Sequence, residues 1–302
     1  MLDGVFYVIL MILLGYILMV CKILPQESRP HLSSILMSVC FPAMIIKSFA
    51  AVDPGELLST SLSTLVVTVI FSLLPAVILL FKKNKGSLRN LYSFICGIGN
   101  VSFVCIPLLR LFLTEGEMVA VYLHVSIQDL LIWALFHPAF AGSRKEGQWK
   151  ALLTEPCLLA VIVGLLLCFT NLSIPGFLSM PLEALDACVS PLALIFLGMT
   201  IGQYGADALK GGKIPLLYTL YKVIAYPVVI FLILLPFLPL KTALLMAILF
   251  GSPAPVAGVV WMQKYTEDPT PAIACLIPST LLYYAVYTPL LICLCSMGIF
   301  GG

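Results

Sequence analysis

The sequence predicts an all-α polytopic membrane protein of ten transmembrane helices arranged as a five-plus-five inverted repeat, and three observations carry that prediction. Charge is scarce: 61% of the 302 residues are hydrophobic and 10% charged, at a mean hydropathy of +1.12, whereas a soluble domain carries roughly 25% charged residues. The scarcity is also patterned. Gly4–Cys21, Leu57–Phe81, Pro156–Leu182, Ala187–Ala206, Val223–Leu240, Thr242–Gln263 and Pro269–Gly302 contain no charge at all, and about 20 apolar residues cross a hydrocarbon core. Finally, two apolar segments are interrupted in matching places, at Gly99-Asn100-Val101-Ser102-Phe103-Val104-Cys105-Ile106-Pro107 and at Gly251-Ser252-Pro253-Ala254-Pro255-Val256-Ala257-Gly258.

In chain order the spans fall at 4–23, 34–51, 57–81, 90–112, 117–139, 151–170, 182–203, 213–236, 241–263 and 269–297. The first has no basic residue ahead of it and is long enough to remain as a span, so it does not read as a cleaved signal peptide. The second is short and carries Pro42 and Lys47; the third rests on the uncharged run to Phe81. Spans four and nine hold the two interruptions, span five carries Asp129 and span eight carries Lys222.

Orientation follows from Lys and Arg in short loops. With the N-terminus outside, the inner loops hold Lys22, Arg29, Lys82, Lys83, Lys85, Arg89, Arg144, Lys145, Lys150, Lys210, Lys213 and Lys264, against Lys47, Arg110 and Lys241 outside. Both termini are therefore expected to be extracytoplasmic. The ten cysteines lie in or beside apolar segments with no CxxC pair, which reads as small buried hydrophobes and not as a metal site.

The halves repeat. Pro42 has its counterpart in Pro191, 149 residues on, and Gly99-Asn100 in Gly251-Ser252, 152 residues on. Five spans per half is an odd number, so the second half enters the membrane from the opposite side. The domains are then 1–141 for spans one to five, a short cytoplasmic linker at 142–150, and 151–302 for spans six to ten.

Helix breakers at membrane depth free backbone groups that lipid cannot satisfy, so such breaks are buried in protein or line a cavity. A matched pair of them points to a transporter's substrate site. Each restarting half-helix offers up to four unpaired N–H groups and about half a positive charge. Two brought together, by crossing, match one carboxylate. Pro107 is expected as the first residue of the second half of span four, and Pro255 likewise in span nine. Asn100 and Ser102 supply donors beside the first break and Ser252 beside the second; Asn100 can also cap its own unwound backbone. The half-helices that end at the breaks leave carbonyls for a cation such as sodium. Neither broken segment contains Asp or Glu, which favours an anion.

Asp129, at the centre of span five, costs about 2.5–3.5 kcal/mol to insert and needs a partner or a cavity. Tyr122, Ser126, Asp129 and Trp133 share one stripe, the better candidate for a cavity face, with His124 and Gln128 opposite. Asp129 reads either as a proton carrier or as a fixed positioning contact. Lys222, in line with Tyr218 and Tyr226, reads as snorkelling to the inner interface, as paired with Asp129, or as a substrate-contacting or gating group. Lys47 and Arg110 are expected as outer-interface anchors, and Trp261, Tyr283 and Tyr284 as packing or belt residues.

The Gly99-Asn100…Pro107, Ser252-Pro253-Ala254-Pro255 and Ser190-Pro191-Leu192-Ala193-Leu194 segments resemble the auxin efflux carrier family, which includes plant PIN carriers and short prokaryotic homologues. The resemblance covers essentially the whole chain. It implies the fold of bile acid symporters and sodium/proton antiporters with crossed, broken helices four and nine, a scaffold of helices one, two, six and seven, and a mobile transport domain of helices three to five and eight to ten. It further implies elevator-type alternating access, a homodimer through the scaffold, the plasma (bacterial inner) membrane, and small organic anions as substrates, either auxin-like acids or malate-like dicarboxylates. Carried over by motif, Asn100 and Pro107 are the crossover residues of helix four, with Pro253 or Pro255 serving helix nine. The long central loop of plant carriers is reduced here to Ser143–Lys150, and Ser252 stands where plant carriers have Asn.

A sodium-coupled symporter of the bile acid type is the alternative, and a non-transporting membrane sensor a further one. An enzyme is not expected. The chain has no HExxH, Asn100 stands where a GxGD protease needs its acid, and Asp129 has no second intramembrane Asp for a dyad. No cofactor, metal or nucleic-acid partner is expected, and with no P-loop any pumping draws on a gradient or a partner.

Overall fold

The computed structural model describes residues 2–80, 86–137, 154–170, 172–205 and 212–301, and among these every regular element is helical. The expected linker 142–150 and the basic residues Lys82, Lys83, Lys85, Arg144, Lys145, Lys150 and Lys210 lie outside the described residues. The helices are α1 (Leu2–Val20), α2 (Ser28–Ala50), α3 (Pro54–Leu80), α4 (Ser87–Gly97), α5 (Val101–Leu109), α6 (Glu115–Phe136), α7 (Pro156–Thr170), α8 (Gly176–Tyr204), α9 (Lys213–Leu234), α10 (Leu240–Phe250), α11 (Val256–Thr266) and α12 (Thr270–Ser296).

Among the described residues six helices are long and apolar enough to cross a membrane: α1, α2, α6, α8, α9 and α12. The pair α4 and α5, bent by 46° at its break, makes a seventh. The apolar stretches Leu62–Pro75 of α3, α7 and α10 are shorter. The physical reason is plain for α10, because the break divides the expected ninth span into two helices of 11 residues, each about 16 Å long.

Proline shapes several of these helices in the same way. Wider π turns at Leu36–Cys40, Val101–Cys105, Ile132–Phe136 and Tyr221–Ala225 each end two residues before a proline, namely Pro42, Pro107, Pro138 and Pro227. A proline lacks the N–H that would close the preceding turn, and its ring crowds the carbonyl four residues back. Widening the turn by one residue relieves both. Pro75, Pro191, Pro278 and Pro289 sit inside helices without such a turn, so a proline alone does not create one.

The chain divides into two compact units, each drawing on both halves of the sequence. The first comprises Met1–Leu65, Ile106–Leu130 and Glu146–Gln203, the second Val66–Cys105, Leu131–Lys145 and Tyr204–Gly302. In the first unit α7 packs along the second half of α2, where the Cys157 and Cys168 thiols donate to the carbonyls of Met37 and Val52. All ten cysteines are free, and several serve as small core residues.

The same unit holds an ion cluster. Asp186 of α8, only 4% exposed, meets Lys47 Nζ at 2.8 Å and Arg110 Nη1 at 2.7 Å, and Arg110 also reaches Glu115 at 4.0 Å. Lys47 and Arg110, expected as interface anchors, are thus both ion-paired to Asp186. A buried carboxylate without compensation is severely destabilising, and these two cations are its partners.

The core of the second unit gathers Leu91, Phe94 and Ile98 with Trp261, Met262 and Leu276. Phe94 and Trp261 lie 4.7 Å apart, centroid to centroid, so Trp261 is a packing residue.

Candidate functional site: two broken helices in contact

Both interruptions are real breaks. Helix α4 ends at Gly97, Ile98 is extended (φ −105°, ψ 145°), and the chain stays non-helical through Asn100 before α5 starts at Val101. Helix α10 ends at Phe250, the Ser-Pro-Ala-Pro run carries no helix, and Pro255 (φ −75°, ψ 143°) caps α11. Prolines at 253 and 255 have no N–H to continue the ladder. Pro255 thus stands one residue ahead of its expected place.

Pro107 is different. Helix resumes at Val101, six residues earlier, so Pro107 lies inside the second half of span four and does not begin it. Its missing N–H is absorbed by the π turn Val101–Cys105, and the unwinding is confined to Ile98–Asn100.

The two breaks touch within the second unit. Asn100 N–H donates to the Pro253 carbonyl at 2.8 Å, so each break satisfies a backbone group freed in the other. The approach is close enough that a Cβ on Gly99 would collide with Ser252 Oγ. Asn100 is 4% exposed and Ser252 fully buried, yet Asn100 Nδ2 and Ser252 Oγ have no hydrogen-bond partner. Buried polar groups in native interiors are seldom left so. Ser102 is half-buried in the first turn of α5, and Pro107, Pro253 and Pro255 are buried.

Two of the carbonyls at the end of α4 have side-chain donors. Tyr218 Oη donates to Ile95 C=O at 3.0 Å, and Lys222 Nζ to Cys96 C=O at 3.2 Å. Lys222 is fully buried, with its ammonium 5.6 Å from the Tyr226 ring. It does not snorkel. The C-terminus of a half-helix is the negative end of its dipole, and the ammonium sits at that end. Helix α12 braces the breaks from its own side. Ser279 Oγ accepts Ala254 N–H at 3.2 Å, Tyr284 Oη donates to Val104 C=O at 3.1 Å, and Tyr287 Oη to Val223 C=O at 2.9 Å. Sequence reasoning missed Ser279 and Tyr287, whose signal was polarity within an otherwise apolar span. Tyr283 is fully buried as well, so it is no interface-belt residue.

Asp129 belongs to the first unit. It is half-buried, with Oδ2 inaccessible and without a hydrogen-bond partner. One turn earlier Ser126 Oγ bonds back to the Tyr122 carbonyl at 2.8 Å. His124 and Gln128, on the opposite stripe, are as buried as Tyr122 and Ser126, so burial does not single out one face of α6. The structure thus brings Asn100, Ser252 and Pro253 together, adds Lys222 beside the first break, and places Asp129 in the other unit.

Residues 1–151, half of the chain, match the model of a family described as membrane transport protein. No curated protein matches the chain. With broken, buried helices and several apolar spans already in view, that match makes this chain an integral membrane transporter, and it belongs to the membrane transport protein family, that of the auxin efflux carriers.

Proposed function

We propose that this transporter is a secondary carrier of small organic anions, binding a carboxylate where its two broken helices meet. The observation that carries the reading is the pair of buried, unpartnered groups, Asn100 Nδ2 and Ser252 Oγ, at two breaks already joined by the Asn100–Pro253 bond. Both atoms can donate to a carboxylate, and the helix starts at Val101 and Val256 add the positive ends of two dipoles.

In this reading the spans number ten, in an inverted repeat whose helices four and nine cross. Helices three to five and eight to ten move as a transport domain against a dimeric scaffold, in an elevator-type cycle across the plasma membrane. The sodium-coupled alternative is the weaker one. Neither break supplies an acidic ligand, and the carbonyls of Ile95 and Cys96 already accept Tyr218 and Lys222.

The test is uptake of labelled carboxylates into proteoliposomes, with sodium or choline as the cation, alongside binding to the purified protein. Carboxylate binding falls at least about 10-fold in Asn100→Ala and in Ser252→Ala, the loss of a hydrogen bond to a charged group, while sodium makes no difference. Unchanged affinity in both folded variants removes the site, and strict sodium dependence moves the protein to the symporter class.

A further inference from the structure

Ser279, Tyr283 and Tyr287 of α12 are spaced i, i+4 and i+8 and so share one face of the helix. The outer two have settled partners. Ser279 Oγ accepts Ala254 N–H at 3.2 Å and donates to Cys275 C=O at 2.6 Å. Tyr287 Oη donates to Val223 C=O at 2.9 Å and lies so near Gly251 that a Cβ there would strike it. Together they bracket the second break from Gly251 to Ala254.

Tyr283 stands between them on the stripe, its ring 4.5 Å from that of Tyr287. The residue is fully buried, yet its hydroxyl meets only the weakly bonding Cys105 thiol of α5 and makes no regular hydrogen bond. A phenol hydroxyl is costly to bury unpaired. Asn100 Nδ2 and Ser252 Oγ, of the same unit, are likewise buried without a regular partner.

We propose that Tyr283 is a third contact for the transported anion, completing with Asn100 and Ser252 a cradle of three neutral donors for one carboxylate group. The proposal rests on the carrier reading above and narrows its substrate class. A carboxylate offers about four lone-pair positions, so three donors suit a single group. The cradle therefore takes a monocarboxylate in preference to a dicarboxylate.

The test uses the full chain in lipid nanodiscs, with phenylacetate, benzoate and succinate as probes. Wild-type protein binds the two monocarboxylates more tightly than succinate. Tyr283→Phe weakens phenylacetate binding about 10-fold or more, and the ligand-free variant melts at the same temperature or higher, because the hydroxyl it loses had no regular partner. A purely structural role gives the opposite pair of results, a lower melting temperature with unchanged affinity, and that outcome or failure to fold overturns the proposal. Tighter binding of succinate overturns the single-carboxylate cradle. If Asn100→Ala weakens phenylacetate binding and Tyr283→Phe does not, this contact falls and the carrier reading stands. If the wild type binds none of the probes, both fall.

Discussion

Gly99 is the position where a side chain is least tolerable, since a Cβ there would overlap Ser252 Oγ and crowd Ser252 Cβ. Overpacking of this kind costs about 1–3 kcal/mol. Gly99→Ala should accordingly lower the melting temperature of the purified protein. Adding Ser252→Gly, which removes both obstructing atoms, should restore much of the loss, and a double variant no better than the single one would place the strain elsewhere. At this scale the sequence was informative wherever the signal was local. Gly99, Asn100, Ser252, Pro253 and Pro255 are legible because Gly and Pro punctuate an apolar run, whatever surrounds them. Pro107 was misjudged since proline signals a missing N–H without saying how the helix absorbs it. Lys222 was legible as an anomaly, but its acceptor, the Cys96 carbonyl, lies 126 residues away in sequence, and no local pattern encodes that partner. The Lys47–Asp186 pair, separated by 139 residues, was invisible for the same reason.

Between elements, Asp186 ties α8 to α2 through Lys47 and to the segment joining α5 and α6 through Arg110. The two bonds differ in quality. The Arg110 side chain is 18% exposed and that of Lys47 37%, whereas that of Asp186 is 6% exposed. Removing one partner of a buried pair strands the other, a loss of about 3 kcal/mol or more, and contact with water screens the more exposed cation. Arg110→Met should therefore destabilise the protein more than Lys47→Met in thermal melts, with Asp186→Asn softening the Arg110→Met defect because no bare carboxylate remains. Equal effects of the two single substitutions would deny Arg110 its larger share. The π turns belong to this scale too. They precede prolines that the sequence displays openly, but a proline alone does not tell a widened turn from plain helix, as the π turn before Pro227 and the plain helix at Pro191 illustrate.

For the molecule as a whole, hydropathy windows and helix lengths count membrane crossings differently. The sequence windows lead to an expectation of ten crossings, while among the described residues six helices, or seven with the bent pair counted as one span, are long and apolar enough to cross. The discrepancy is sharpest in the ninth window, where α10 and α11 each run 11 residues with the break between them. A helix interrupted by a proline-bearing break fails a length test, and a window average cannot see the interruption. The two counts make different topologies. Any even number of crossings leaves both termini on one side, and seven puts them on opposite sides. The excess of Lys and Arg in the loops assigned to the inside leads us to expect the outer face for both. A membrane-impermeant thiol reagent applied to variants carrying a single accessible cysteine tag at either end, in intact cells and in inverted vesicles, separates the cases. Both tags should react in intact cells. Labelling of one end from outside and the other only in inverted vesicles would leave an odd number of crossings, and with it no five-plus-five repeat to bring two breaks to the same depth from opposite directions.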